Sequence, residues 1–138
     1  MGKKKRKQSN LGQVVIPVGH PNPPQQHEVD VAKVLACHYQ TTVEFLVPID
    51  DYKRKSADIK MLDVEWEIKC PKGSSKLTIM RQFQRASKQS NNIIIDSRHT
   101  KLNYDSIEKS VIFEMNKRPY IKKVIIIGKL NNVVAIKK

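Results

Sequence analysis

Apolar residues recur along the chain with periods that change several times, and each change marks a predicted element. After residue 27, four apolar residues recur at the spacing of one helix face: Val31, Ala32, Leu35 and Tyr39. Glu28 lies on the same stripe, where an acidic side chain needs a partner. The stretch "TTVEFLV" then alternates and ends at a proline, which predicts a strand.

The middle of the chain continues the alternation and then returns to helical spacing. Two short strands fit "DIKML" and "VEWEIKC", and "PKGSS" then breaks the pattern. Ser74 or Ser75 is the predicted N-cap of a helix that runs to about Ser90. One face of this helix is apolar and the opposite face is basic, with Ile79, Phe83 and Ala86 on the first and Arg81, Arg85 and Lys88 on the second.

The last third of the chain predicts one strand, one helix and a hairpin. "NNIIID" has the composition of a short buried strand, and the spacing of Ile107, Val111 and Met115 predicts a helix over 105–117. "KKVIIIGKLNNVVAIK" predicts a terminal hairpin. The predicted order is therefore α-β-β-β-α-β followed by α-β-β, a single α/β domain.

The N-terminal segment differs from the rest in composition. Five consecutive basic residues occupy positions 3–7, and four prolines follow before residue 25. This composition predicts a flexible tail over 1–25 and a folded domain over 26–138. Within the tail, "QVVIPV" is also compatible with a short edge strand.

The charge of the chain favours a polyanionic partner. There are 26 Lys and Arg against 13 Asp and Glu, a formal net charge of +13, which attracts nucleic acid before any specific contact forms. No apolar run is long enough to span a bilayer, so we expect a soluble, cytoplasmic protein with no membrane partner.

The two cysteines, Cys37 and Cys70, lack the spacing of a zinc or redox motif and are predicted to be small buried side chains.

One constellation carries candidate chemistry. Asp58 is followed after eight residues by Glu67, Ile68 and Lys69. Strand alternation puts Glu67 and Lys69 on one face, with Trp66 and Ile68 in the core on the other, and Asp58 on the neighbouring strand can stand beside them. Two carboxylates with a nearby lysine suit Mg²⁺-assisted phosphodiester hydrolysis. The alternative from spacing alone is a solvent-facing strand with a cross-strand salt bridge.

These residues resemble the PD-(D/E)XK nuclease superfamily, whose core is an α-β-β-β-α-β arrangement with a mixed central sheet, as in restriction endonucleases. The composite of "WEIKCPKG", a helix, "QSNNIIID" and "RHTKL" is similar to the C-terminal nuclease domain of contact-dependent growth inhibition toxins, many of them tRNases and some DNases. The similarity extends over about 27–102. A nuclease of a mobile element or phage would suit the same residues.

The resemblance implies roles for individual residues. Asp58 and Glu67 would bind the metal, Lys69 would orient water or phosphate, and Glu28 would be an outer ligand. Ile68 belongs to the implied metal-binding set, and the ion would be Mg²⁺, Mn²⁺ or Zn²⁺. Seven basic residues are predicted to contact nucleic acid, either tRNA or DNA: Lys72, Lys76, Arg81, Arg85, Lys88, Arg98 and Lys101. For the stripe on the predicted helix, Arg81, Arg85 and Lys88, the alternative is a solvated helix face. A small acidic immunity protein is a further expected partner.

Three alternatives stay open. Glu65 shares the strand parity of Glu67 and is either a further ligand or an exposed acid. The four histidines have no metal-ligand spacing and are interpreted as surface or core residues, with His27 kept as a neighbour of the site: His20, His27, His38 and His99. The whole chain would alternatively be a non-catalytic nucleic-acid-binding protein in which the acids are structural.

Overall fold

A computed structural model of the chain describes residues 12–19, 23–47, 57–86 and 90–137. Within these ranges there are three α-helices and one seven-stranded sheet. The helices are α1 (Gln26–Tyr39), α2 (Leu77–Ala86) and α3 (Tyr104–Lys117), with a short 3-10 helix at Ser97–His99. The strands are β1 (Gln13–Val15), β2 (Thr42–Phe45), β3 (Ile59–Met61), β4 (Val64–Lys69), β5 (Asn92–Asp96), β6 (Lys123–Ile127) and β7 (Val133–Lys137).

The sheet is mixed, and its strands lie in sequence order from β1 to β7. Strand β3 is antiparallel to both of its neighbours, β2 and β4, whereas β4, β5 and β6 are parallel, and β7 forms a hairpin with β6 at the edge of the sheet. The predicted α/β class is confirmed, and the predicted order of helices and strands from α1 onwards is the one observed.

The N-terminal segment contributes an edge strand. Strand β1 pairs in parallel with β2, in the register Gln13 to Thr42. Three residues of the segment predicted as a tail therefore belong to the sheet, within the stretch that was compatible with an edge strand. The basic residues 3–7, His20 and Lys88 lie outside the described residues.

Both faces of the sheet are covered by helices, which creates two apolar layers. Helix α1 packs on one face against residues of β2, β3 and β4, including Phe45, Ile59 and Trp66. Helices α2 and α3 pack on the other face, where Phe83 and Val111 meet Ile93 and other residues of β5 and β6. Strand β4 therefore lies between two apolar layers.

Strand β4 alternates as predicted. Trp66 and Ile68 are buried on the α1 side of the sheet. Glu67 pairs with Ile93 and Lys69 with Ile95 in the parallel ladder, which places both on the face covered by α2 and α3. Glu67 is only 3% exposed. The alternative of a solvent-facing strand is therefore wrong for Glu67.

Two sequence-based expectations need correction or refinement. Cys37 was predicted to be buried, but it is exposed on α1, because the apolar face of that helix is formed by its neighbours Leu35 and Ala36. Helix α2 begins at Leu77, whose N–H donates to Ser75 Oγ at 3.1 Å. Ser75 is thus the capping side chain of the two serines considered.

Candidate active site

Asp58 enters the site from the start of β3. Its backbone N–H donates to the carbonyl of Trp66 at 2.9 Å, and the pairing of Ile59 with Trp66 brings Asp58 level with Glu67 on the neighbouring strand. The N–H of Ile68 donates to Asp58 Oδ2 at 2.8 Å. Burial raises the pKa of Asp58 above its usual range, although the hydrogen bond from Ile68 opposes the shift. The carboxylate is therefore held in place by backbone contacts.

Glu67 is the most constrained group of the site. Its Oε2 lies 3.2 Å from Lys69 Nζ, while its Oε1 is buried and accepts no hydrogen bond from any described residue. Burial raises the pKa of Glu67 to about 8, and the negative charge of Asp58 adds to the shift, whereas Lys69 opposes it. One cation therefore does not fully compensate this buried carboxylate.

The two carboxyl groups influence each other electrostatically. Burial is the larger cause of the raised pKa of Glu67, and the negative charge of Asp58 adds to it. When both groups are ionised, two negative charges lie close together. The pair then requires a second positive charge, and a divalent cation bound by carboxylate oxygens meets this requirement.

Glu28 lies near the pair at the N-terminus of α1. It is partly buried, and its charge contributes to the raised pKa of Asp58. The N–H of Gln25 donates to Glu28 Oε1 at 2.9 Å, which stabilises the first turn of the helix. Glu28 thus has an observed capping contact, and its role as an outer metal ligand stays a prediction.

Glu65 differs from Glu67 although the two share strand parity. Glu65 is exposed, and it lies opposite Lys60 in the antiparallel ladder of β3 and β4. The difference arises because Glu65 precedes the part of β4 that pairs with β5, which begins at Glu67. Glu65 is therefore a suitable control residue for Glu67.

The predicted phosphate-contacting residues fall into two groups. Five of them are exposed: Lys72, Lys76, Arg81, Arg85 and Lys101. Arg98 is partly buried, and its Nε and Nη2 donate to the two oxygens of Asp96 at 2.8 and 3.0 Å. Arg98 also reaches Asn131 Oδ1 at 3.1 Å through Nη1. The guanidinium of Arg98 is thus engaged by Asp96 and Asn131, whereas the other five side chains are exposed to solvent.

The structure also assembles a group that the sequence spacing did not predict. The potential ligand atoms of Cys70, Asp96 and His99 all lie within 4.8 Å of one another. His99 was interpreted as a lone surface or core residue; it is exposed but belongs to this group. The only signal in the sequence was that Cys70 and Asp96 come at the ends of two predicted strands, which are adjacent in the sheet.

The fold and the site define an α/β domain in which a buried glutamate lies beside a partly buried aspartate and a lysine. The family of the "Contact-dependent growth inhibition CdiA C-terminal domain" matches residues 55–133, and the chain belongs to this family. The match contains β3, β4, Asp58, Glu67 and Lys69.

A solved structure, "CdiA-CT/CdiI toxin and immunity complex from Burkholderia pseudomallei", is similar to this chain with a TM-score of 0.64. The two chains are 19% identical, and the similarity covers 91% of this chain and 100% of the other. This similarity confirms the fold. No protein of curated function matches the chain. Among the described residues, no helix is long and apolar enough to cross a membrane.

The raised pKa of Glu67 predicts an unusual effect of a neutral substitution. The pKa rises from 4.5 to about 8 on folding, so the stabilisation from protonated Glu67 is complete below pH 4.5 and is lost as the pH passes 8. Without a divalent ion, Glu67→Gln should gain stability relative to the native protein between pH 5 and pH 9. The glutamine does not titrate, and each unit of pKa difference changes stability by about 1.4 kcal/mol, so we expect a relative gain of a few kcal/mol.

Thermal unfolding in chelator at both pH values measures this effect. Glu65→Gln is the matched control, because it removes the same charge from an exposed position of the same strand. We expect no such pH-dependent gain in the control. A difference between Glu67→Gln and the native protein that does not change with pH would contradict the account.

Proposed function

We propose that this chain is a divalent-metal-dependent nuclease of the PD-(D/E)XK type. Its substrate is RNA, with tRNA first among RNAs and DNA as the alternative. The observation that carries the proposal is the buried Glu67, whose Oε1 has no donor among the described residues and whose Oε2 is 3.2 Å from Lys69. A structural ion pair has no need of the second acid, Asp58, beside it.

The donor set fits Mg²⁺ or Mn²⁺. Asp58 and Glu67 would hold the ion, which usually takes one or two protein carboxylates and keeps several waters. Two further residues belong to the predicted set. Ile68 is included because it lies between Glu67 and Lys69, and Glu28 is included because it lies near Asp58. When bound, such an ion supplies Lewis-acid stabilisation of the phosphate and a water of lowered pKa.

Lys69 and Asp58 have separate tasks in this mechanism. Lys69 keeps 19% of its side chain exposed while its Nζ contacts Glu67, so the ammonium reaches both the carboxylate and the solvent. There it neutralises charge that develops on a phosphate oxygen and orients a water. Asp58 is held by the N–H of Ile68, which keeps its carboxylate fixed during the reaction.

Exposed basic residues surround the end of β4 and extend along α2. Lys72 and Lys76 lie in the segment that joins β4 to α2, and Arg81 and Arg85 lie on the exposed face of that helix. Contacts from such residues position a phosphate backbone without reading its sequence. Such contacts suit RNA and DNA equally. They favour a nucleic-acid substrate over a small phosphoester.

Family membership supports a biological role for this domain as a toxin. Membership in a growth-inhibition family supports a toxic activity of this domain, and the similar structure from Burkholderia pseudomallei contains an immunity protein. We propose that a small acidic immunity protein binds this chain, because a net charge of +13 favours an acidic partner by electrostatic attraction.

The function is tested by incubating the purified protein with tRNA and with plasmid DNA, with Mg²⁺ or with excess EDTA. Cleavage of either substrate that EDTA abolishes is the expected result. Lys69→Met should lower the cleavage rate by about 100-fold or more, because it removes a charge that stabilises the transition state. Folding and nucleic-acid binding should persist.

Lys60→Met is the control for this experiment, since Lys60 is an exposed lysine on the adjacent strand. Its loss should change cleavage little. Retarded but intact nucleic acid under all conditions would instead identify a non-catalytic binding protein. Full activity of Lys69→Met would remove Lys69 from the mechanism.

A shared ion makes a prediction about combined substitutions. If Asp58 and Glu67 bind one ion, Asp58→Asn and Glu67→Gln should each abolish most activity, and the double variant should be little worse than either single variant. The measurement is the rate of cleavage at saturating Mg²⁺. Glu65→Gln should stay close to the native rate. Multiplicative losses in the double variant would show that the two acids act independently.

A further inference from the structure

Cys70, Asp96 and His99 meet at the ends of two adjacent parallel strands. Cys70 directly follows β4, Asp96 is the last residue of β5, and His99 ends the 3-10 helix that follows. Because Lys69 pairs with Ile95, Cys70 is level with Asp96 in the same ladder. The two point toward the α1 face, as Ile68 and Ile94 do. This group is therefore on the opposite face of β4 from Glu67 and Lys69.

Asp96 is held as a buried, ionised carboxylate. It has no exposed surface, and Arg98 donates to Oδ1 from its backbone N–H and its Nε and to Oδ2 from its Nη2. Burial alone would raise the pKa of Asp96, but the hydrogen bonds and the charge of Arg98 hold it below the usual range. Metal-binding carboxylates are commonly oriented by such a second hydrogen-bonding partner.

The thiol of Cys70 points at this carboxylate. Its Sγ lies 3.7 Å from Asp96 Oδ2 and donates to it. Burial raises the pKa of the Cys70 thiol to about 11, and the charge of Asp96 adds to the shift, so the sulfur keeps its proton when no cation is present. A metal ion in the place of that proton would bind thiolate and carboxylate together.

We propose that Cys70, Asp96 and His99 form a second metal site, specific for a borderline-soft divalent ion of the Zn²⁺ type. The group offers one sulfur, one oxygen and one imidazole nitrogen within 4.8 Å of one another. Zn²⁺ prefers such a mixed donor set, whereas Mg²⁺ and Ca²⁺ prefer sites built from oxygen alone. His99 is exposed, so a fourth coordination position would open toward solvent. The proposal does not depend on nuclease activity.

An ion at this position would join the segments that follow β4 and β5. Those segments already contact each other, because Thr100 Oγ1 donates to the carbonyl of Gly73 at 2.5 Å. Bound metal would add a bridge from Cys70 to Asp96 and His99 beside Lys69 and Lys72. The expected role is therefore to fix the loops that carry the basic residues around the candidate active site.

The test is a Co²⁺ titration of the chelator-treated full chain, in which Co²⁺ stands in for Zn²⁺. We expect thiolate-to-cobalt charge-transfer absorption that saturates with one ion and disappears when Zn²⁺ is added in competition. Cys70→Ser should abolish this absorption. His99→Gln, a change at an exposed position that leaves the fold intact, should weaken Co²⁺ affinity by about tenfold or more.

Two controls separate this site from other binding. Cys37→Ser removes the exposed cysteine and should leave the absorption unchanged. The double variant Asp58→Asn with Glu67→Gln should also keep it, which distinguishes this site from the acidic pair. Absence of the absorption in the native protein, its loss in Cys37→Ser, or unchanged Co²⁺ affinity in His99→Gln would overturn the proposal.

Discussion

Glu67 is a carboxyl group in a strand that is covered by helices on both faces, and the arrangement around it follows from this position. A buried carboxylate is tolerated only when positive charge or a proton compensates it. Lys69, two residues along the same strand, supplies one positive charge to Glu67, but Asp58 adds a second negative charge near Glu67. A proton on Glu67 compensates the excess negative charge, and a divalent cation would do so if, as we propose, the pair binds one.

The topology explains why the acids converge on β4. This strand is antiparallel to β3 and parallel to β5, so it joins the two halves of the mixed sheet. The antiparallel side brings Asp58 level with Glu67, and the parallel side brings the ends of β4 and β5 together. Strand alternation then directs Glu67 to one face and Cys70 to the other. Two chemically different groups of side chains therefore meet at β4: carboxylates beside a lysine on one face, and a thiol, a carboxylate and an imidazole on the other.

The sequence predicted what depends on local periodicity. The two-residue period of "VEWEIKC" assigned Trp66 and Ile68 to the core, and the strand and helix order followed from the same kind of pattern. It left open whether Glu65 is a further ligand or an exposed acid, because Glu65 and Glu67 have the same parity and only the pairing of β4 with β5 separates them. The group of Cys70, Asp96 and His99 was missed for the same reason, since its members are distant in sequence and meet only through strand pairing.

The most direct test of the account is the pKa of Glu67 itself. Carboxyl NMR of protein labelled at glutamate, with the Glu67 signal assigned through Glu67→Gln, would follow its titration in chelator and in Mg²⁺. We predict a pKa near the value of about 8 in chelator and a clear decrease when Mg²⁺ is present, because the ion favours the ionised carboxylate. A Glu67 that titrates near the ordinary 4.5 in both conditions would contradict the claim that its burial beside Asp58 requires a metal ion.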